Sequence, residues 1–262
     1  MAGAFLYSNL ARGAVLTSAQ ANVASMPVAN LQDAQPRRRV RFNATSATLD
    51  VDLLAPAAVD CVALISTTLS ASATIRVRLA NVADFSAVLT DTGTNSAEAQ
   101  DQAQGNVIVV LPAPITARYL RIDLADGAAS FMDAGVLAVG ALWRVLRGTA
   151  YGIREGRVML DKRDRNPFTG AEFPVPAIAN PRFAAFTLPS LSVAEARTQH
   201  RALLAALGAA GDALWIAELN DTMAERNRRA IWGAVNAPGE DAAVARDNLP
   251  LSSRAFRIQE RL

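Results

Sequence analysis

The chain has few of the residues on which most catalytic and metal sites depend. Its 262 residues include one cysteine, Cys61, one histidine, His200, and one lysine, Lys162. A Ser-His-Asp or Cys-His arrangement would have to use His200, and one histidine with one cysteine cannot form a zinc tetrad without several carboxylates. No glycine-rich phosphate loop of the P-loop or dinucleotide type is present. The sequence therefore predicts no enzyme, no metal and no cofactor.

The single cysteine and the single histidine are expected to have structural roles. Cys61 lies in the apolar run of residues 59–65, which predicts a buried thiol, and a single cysteine excludes a disulfide within the chain. His200 shares a helical spacing with Leu203 and Leu204, which predicts a partly buried helix histidine. An enzyme that uses His200 is the hypothesis that we favour least.

Neither half of the chain has a large excess of charge. Residues 1–147 carry 11 Arg and 11 acidic residues, and residues 148–262 carry 15 basic and 13 acidic residues. Such a balance does not predict a nucleic-acid surface, although the pI is about 9.1. No apolar run reaches the ~18 residues that a membrane span needs. We therefore expect no nucleic-acid partner, no membrane insertion, no cleaved secretion signal and synthesis in a cytoplasm.

Short segments of alternating polarity are spread over the first half of the chain. Successive side chains of a strand point to opposite faces, so this pattern predicts a sheet with one buried and one solvated face. The alternating apolar residues are Leu49, Val51 and Leu53, then Ile75, Val77 and Leu79, then Leu120, Ile122 and Leu124. Residues 107–111 and 136–143 predict further apolar strands, and the polar stretch 91–105 predicts a mobile loop. We expect residues 1–145 to form a β-sandwich.

The second half predicts an α+β domain over residues 146–262. The segment Asp164-Arg165-Asn166-Pro167-Phe168-Thr169-Gly170 is a strong turn signal between two strands. Ser192 and Glu195 form a capping box for one main helix, about 192–207, which Gly208 ends. Residues 183–188, 213–219, 229–235 and 253–258 predict strands, with Trp215 and Trp232 in the core. The expected fold is mainly β, with a sheet and one main helix in the second half.

Five residues are candidates for ligand contact: Asp33, Arg37, Arg38, Asp84 and Phe85. Asp33 either holds an Asx-turn or contributes an oxygen to a calcium ion. The arginine run at 37–41 is either a solvated loop and strand edge or a phosphate or partner contact. Phe85 is either a contact at a loop tip or a residue that folds inward to cover one end of the sandwich.

The order of motifs in the first half resembles the discoidin, or coagulation factor type C, module. The resemblance begins with Pro27-Val28-Ala29-Asn30-Leu31-Gln32-Asp33, then Arg39-Val40-Arg41-Phe42. It continues with residues 49–53, 59–65 and 75–79, and above all with Ala117-Arg118-Tyr119-Leu120-Arg121-Ile122. The first two of these segments also resemble discoidin-like proteins from the tail tips or baseplates of tailed bacteriophages. Phe42 stands where such modules often have tryptophan. The strand, helix and strand pattern of the second half resembles tail-tube and distal-tail proteins.

The resemblance implies a galactose-binding-like jelly roll and a structural role in a phage, prophage or phage-like tail tip or baseplate. Its implied partners are other tail or baseplate proteins and copies of itself, in the virion. The alternative is a carbohydrate-binding adhesin that recognises host cell-surface glycan at the loop end of the sandwich, around residues 30–39 and 84–85.

Overall fold

We describe a computed structural model of the chain, which covers residues 3–21, 23–99, 105–149, 152–175, 180–208, 211–236 and 251–262. Strands dominate these residues. In chain order the strands are β1 (Ala4–Leu6), β2 (Val15–Thr17), β3 (Val40–Phe42), β4 (Ser46–Thr67), β5 (Thr74–Ala80), β6 (Val88–Asp91), β7 (Asn95–Ser96), β8 (Gly105–Ala125), β9 (Met132–Ala134), β10 (Val136–Gly140), β11 (Trp143–Arg144), β12 (Arg154–Arg157), β13 (Lys162–Arg165), β14 (Glu172–Val175), β15 (Arg182–Ser192), β16 (Asp212–Ile216), β17 (Ile231–Asn236) and β18 (Leu251–Glu260).

Helices are few in the described part of the chain. Helix α1 consists of three consecutive segments, the α-helical Val193–Glu195, the π-helical Ala196–His200 and the α-helical Arg201–Leu207. Helix α2 is Met223–Arg229, and the short 3₁₀ turns are Leu10–Gly13 and Val28–Gln32. None of the described helices has the length and apolar character needed to cross a membrane.

Two long antiparallel strands, β4 and β8, fold the first half into a sandwich. Their pairing breaks between Asp52 and Ala57, at a bend that includes Pro56. Residues 46–52 of β4 and 117–125 of β8, with β2, β5, β6 and β7, form what we call the front layer. Residues 57–67 of β4 and 105–116 of β8, with β10, form the back layer. One apolar core lies between the two layers.

The predicted sandwich is confirmed, and so is the alternation in its front layer. The residues Leu49, Val51, Ile75, Val77, Leu79, Leu120, Ile122 and Leu124 are all buried. The polar residues between them lie on the opposite, solvated face. A mainly β fold therefore follows from the period of two in these strands.

A second sheet packs on the outer face of the back layer. Its order is β11-β1-β16-β17-β18-β15-β12. Leu6 and Trp232 from this sheet meet Cys61 and Ile108 from the back layer in one buried cluster. The opposite face of the sheet packs on α1 through an aromatic cluster that includes Phe5, Trp215 and Phe256. The predicted core positions of Trp215 and Trp232 are confirmed.

Three sequence expectations need correction. The strands Ala4–Leu6 and Trp143–Arg144 were expected in the sandwich and lie in the second sheet, because β1 pairs with β16 and β11. Residues 91–99 are not simply a loop, since β7 pairs with β5 and Ala97 is fully buried; residues 100–104 of that stretch lie outside the described residues. Arg229 ends α2, and the strand expected from this residue begins at Ile231.

The predicted helix is present, but its capping box is only half formed. Ser192 Oγ accepts a hydrogen bond from the Glu195 backbone N–H (3.1 Å). The carboxylate of Glu195 instead accepts from Trp143 Nε1 and the Leu146 N–H, both at 3.2 Å. A tertiary contact with the indole therefore replaces the expected contact with the helix backbone. Gly208, with a φ of 52°, follows the last turn as predicted.

Candidate functional site

Asp33 and Arg38 bind each other at the end of the 3₁₀ turn Val28–Gln32. Asp33 Oδ1 accepts from the Gln35 N–H (3.0 Å), and Asp33 Oδ2 accepts from Arg38 Nη1 (2.9 Å). The Gln35 N–H, together with the nearby Arg38 charge, holds the pKa of Asp33 below its usual value. Asp33 therefore forms the Asx-turn that was one of its two interpretations.

The loop that follows Asp33 faces the second sheet. Trp232 Nε1 donates to the carbonyl oxygen of Ala34 (3.1 Å). A cavity of about 210 Å³ remains beside this contact, with Arg37, Trp232 and Arg261 among its walls. A Cβ added at Gly135 would come within 2.2 Å of the Pro36 oxygen, so glycine is needed for the close approach of this loop. The second sheet thus contacts this expected ligand-binding end at Ala34, while Arg37 and Arg38 stay exposed.

Asp84 and Phe85 lie at the other edge of the sandwich. Asp84 Oδ1 accepts from the Ser86 N–H (3.0 Å), which lowers the pKa of Asp84. Phe85 is half-buried, with a positive φ of 57°, and its ring lies 4.4 Å from the Arg121 guanidinium. The aromatic ring therefore covers an arginine on the front layer. Asp33 follows the 3₁₀ turn that contacts β10, whereas Asp84 and Phe85 lie between β5 and β6. Strands β10 and β6 are at opposite ends of the strand order, so the structure does not bring this pair together with Asp33.

Arg–Asp pairs cover the solvated face of the front layer. The pairs and their nitrogen–oxygen distances are Arg118–Asp52 (2.8 Å), Arg121–Asp50 (2.5 Å), Arg78–Asp123 (2.6 Å) and, closer still, Arg76–Asp91. Hydrogen bonds from Arg118 and Arg76 lower the pKa of Asp52 and Asp91, the latter to about 2. The face is thus rich in hydrogen-bonding groups, with each of these charges balanced by its pair.

An open cleft of about 430 Å³ lies at one end of this face, where β4 begins, β5 begins and β8 ends. We call it the strand-end cleft. Its lining residues are Gln20, Ser46, Ala47, Thr48, Thr74, Arg76, Arg78, Thr94, Asp123, Leu124 and Ala125. This site was not predicted from the sequence. The polar positions of the alternating strands were the available signal, but only the register of the sheet brings them to one end.

The residues considered for catalysis are inside the fold. His200 is 1% exposed in α1, with its ring 5.8 Å from that of Phe256. Cys61 is fully buried, and its burial, followed by the neighbouring Asp60 charge, raises the pKa of the thiol well above its ordinary value. Within the described ranges, no cluster of three or more His, Cys, Asp or Glu side chains could hold a metal ion.

A hairpin of residues 158–175, which we call the arm, stands apart from both cores. Its strands β13 and β14 pair only with each other among the described residues, as the turn signal at 164–170 predicted. No residue from 159 to 174 is buried. Phe168 at the turn is 96% exposed, and Met159 and Phe173 are also exposed. The base of the arm is tied down by Asn180, whose Oδ1 accepts from the Leu160 N–H (2.8 Å).

Comparisons with known proteins found solved structures that resemble about half of the chain. Chitosan-binding module 1 from a chitosanase/glucanase of Paenibacillus sp. IK-5 has 16% identity and a TM-score of 0.41, with coverage of 51% of this chain and 99% of the module. CpGH89CBM32-5 from Clostridium perfringens, in complex with GalNAc-β-1,3-galactose, has 10% identity and a TM-score of 0.42, with coverage of 51% and 100%. The family 32 module of Clostridium perfringens NanJ, in complex with galactose, has 15% identity and a TM-score of 0.40, with coverage of 50% and 97%.

These three proteins are carbohydrate-binding modules, and none of them is a phage tail protein. Their TM-scores are below 0.5, so the likeness carries no argument about what this chain binds. No family model and no curated protein matches the chain. The resemblance to tail tips and to tail-tube or distal-tail proteins therefore stays a prediction.

Proposed function

We propose that the protein is an assembly subunit of a tail tip or baseplate in a phage, prophage or phage-like particle. The observation that carries this proposal is the arm. Isolated two-stranded hairpins are at best marginally stable in water, and the arm packs on neither core. It also exposes Phe168, Phe173 and Met159. Contact with a neighbouring subunit would bury these side chains and stabilise the arm.

The partner that best fits the arm is a second copy of the chain. The arm carries both signs of charge, with Lys162, Arg163 and Arg165 near Asp164 and Glu172. An equivalent arm would therefore offer charges of both signs as well as apolar side chains. Repetition of this contact around a symmetric tail would build a ring, in which residues from about 146 onward dock to neighbours and the front layer of residues 1–145 faces outward.

The proposal is tested by the oligomeric state of the intact chain. We expect the wild-type protein to self-associate as its concentration rises, and a Phe168→Ser/Phe173→Ser variant to remain monomeric. At concentrations where the wild type is also monomeric, the two proteins should have the same melting temperature. The matched control is Val88→Ser/Leu89→Ser, which removes two exposed apolar side chains from β6 instead. Light scattering after size-exclusion chromatography gives the mass of each. A wild-type monomer at all concentrations, or equal association of the arm variant, contradicts the proposal.

The tail role itself needs a test in the particle. Antibody labelling of virions from a host that carries the gene should place the protein at the tail tip, after its synthesis in the host cytoplasm. Adjacent genes for a tape measure protein and a tail hub would support the same location. Absence of the protein from purified particles would contradict it.

A second candidate function is carbohydrate binding by the sandwich, as a module that attaches to cell-surface glycan. The observation that favours it is the strand-end cleft, which is open, lies at one end of the front layer and has several hydroxyl-bearing side chains in its lining. The expected ligand loop after Asp33 supports this function less well, because Trp232 contacts it. A glycan array with the wild-type chain tests this function, and binding to none of its glycans would contradict it.

A further inference from the structure

We infer that the strand-end cleft is a site for a neutral saccharide, bound mainly through its hydroxyl groups. This inference rests on the second of the proposed functions and places it at residues that the sequence analysis did not select. The volume of about 430 Å³ lies within the ~300–1,000 Å³ usual for small-ligand sites. Four kinds of observation define the ligand: the charge of the cleft, its hydrogen-bonding groups, its rigidity and its lack of aromatic rings.

The charge of the cleft disfavours an anion. Arg76 and Arg78 are the basic residues of the lining. Arg76 Nε donates to Asp91 Oδ1 (2.9 Å), and Arg78 Nη2 donates to Asp123 Oδ2 (2.6 Å). An anionic ligand would have to compete with these carboxylates for the guanidinium groups. A neutral ligand can instead bind without breaking either pair.

The other polar groups of the cleft suit hydroxyls. Ser46, Thr48, Thr74 and Thr94 bring hydroxyl groups that can both donate and accept, and Gln20 brings an amide. Neighbouring hydroxyls of a pyranose ring also donate and accept in turn. The lining also includes the apolar residues Ala47, Leu124 and Ala125, which the carbon face of a sugar ring can contact.

The cleft is held in shape by contacts between strands. Asp123 accepts from Thr48 Oγ1 (2.9 Å) at one carboxylate oxygen and from Arg78 at the other. Gln20 Oε1 accepts from the Thr48 N–H (3.3 Å), which ties the loop before β3 to the start of β4. Thr48, Asp123 and Arg78 lie on three neighbouring strands of one sheet, so a ligand would meet partners that are already oriented.

No aromatic residue is among the described residues that line the cleft. A sugar ring therefore has no platform on which to stack, and we expect weak affinity from a single site. Repetition through an assembled ring would raise the effective strength of attachment, since simultaneous contacts multiply weak individual ones. The cleft and the arm would thus depend on each other in function.

The test compares two arginines of the same sheet face. Arg78→Met removes a guanidinium from the cleft, and Arg118→Met removes one from an equivalent cross-strand pair outside the lining. Saturation-transfer NMR and affinity electrophoresis use three probes: neutral galactose and N-acetylgalactosamine oligosaccharides, acidic oligogalacturonate, and cationic chitotriose. We expect the wild type to bind a neutral probe, Arg78→Met to bind it about tenfold more weakly, and Arg118→Met to bind it normally.

Three outcomes would overturn the inference: no binding of a neutral probe at millimolar concentration, preference for a charged probe, or equal loss in both variants. A third variant, Thr74→Val/Thr94→Val, should also weaken binding while it leaves both ion pairs intact, and full retention by this variant counts against the cleft. Light scattering on the same samples reports self-association through the arm. Loss of saccharide binding with intact self-association would therefore contradict the cleft but not the assembly function. Loss of self-association with intact saccharide binding would contradict the assembly function but not the cleft.

Discussion

The outer faces of the two sandwich layers have opposite chemistry. On the front layer, Asp50, Asp52 and Arg121 alternate with buried apolar residues and face solvent as ion pairs. On the back layer the corresponding face carries Cys61, Ala63, Ile65 and Ile108, which are buried under the second sheet, and the side chains between them pack into the sandwich core. One layer is therefore half-buried and the other is buried on both faces.

This difference arises because the second half of the chain buries the outer face of the back layer. Small side chains at Cys61 and Ala63 allow the second sheet to approach closely, and Trp232 fills the space between the sheets. Two asparagine side chains form hydrogen bonds between the back layer and the second half of the chain, at the edge of this contact. Asn227 Oδ1 accepts from the Ile108 N–H (2.8 Å), and Asn106 Nδ2 donates to the Ala230 oxygen (3.2 Å). The back layer therefore serves stability, and the front layer is the face left free for contacts.

The largest expected effect is the loss of the indole between the layers. Trp232→Ala should lower the free energy of unfolding by about 3–5 kcal/mol, because it leaves a cavity and removes the hydrogen bond to Ala34. Phe168→Ala, at a fully solvated aromatic, is the control and should change it by less than about 0.5 kcal/mol. Urea denaturation measures both. A loss for Trp232→Ala no larger than the control's would mean that the two sheets do not stabilise each other.

The next effect concerns the asparagine hydrogen bonds at the edge of the back layer. Asn227→Ala removes the acceptor of the buried Ile108 N–H and the donor to the Ala97 oxygen (2.8 Å), so it should cost about 1–3 kcal/mol. Asn95→Ala is the matched control, since the Asn95 side chain is exposed and, among the described residues, donates its hydrogen bonds to its own turn. Thermal unfolding of both variants gives the comparison. Equal shifts in melting temperature would contradict a stabilising role for the Asn227 hydrogen bonds.

Parts of this fold could be predicted from sequence because their signals are local. The front layer follows from the period of two in residues such as Leu49 and Ile122, and α1 follows from the Ser192 cap and Gly208. The back layer also had a signal, since the apolar run 59–65 is typical of a strand buried on both faces. Helix α2 could have been found in the same way, because Thr222 and Glu225 have the spacing of a capping box and Thr222 accepts from the Glu225 N–H.

Other features depend on contacts between distant segments and left no local pattern. Strand β1 pairs with β16 near the other end of the chain, and three residues are too short to show a period. The Glu195 carboxylate bonds to Trp143 instead of its own helix start. The strand-end cleft exists only because the register of β4, β5 and β8 aligns their ends. The proposed ligand-contact residues, by contrast, lie at opposite edges and remain predictions.

A smaller effect is expected on the front layer itself. The Arg118–Asp52 pair is partly exposed, and such pairs contribute about 0.2–1 kcal/mol. A double-mutant cycle with Arg118→Met and Asp52→Asn should give a coupling energy in this range that shrinks as salt is added. The measurement is urea denaturation at low and high ionic strength. A coupling energy near that of a buried pair, with no salt dependence, would show that this face is covered in solution.

The smallest effect is a change with pH at the edge of the same layer. The pKa of Asp91 is lowered to about 2, first by the hydrogen bond from Arg76 and then by that from the Gly93 N–H. The pKa is lower in the folded chain than in the unfolded one, so the ionised carboxylate stabilises the fold above about pH 4 and this contribution is lost as the pH falls toward 2. An Asp91→Asn variant should therefore lose less stability than the wild type over that interval, in chemical denaturation at each pH. Identical pH profiles for the two proteins would show that the Arg76–Asp91 pair does not contribute to the free energy of unfolding. The ion pairs of the front layer would then keep the surface polar without stabilising the fold.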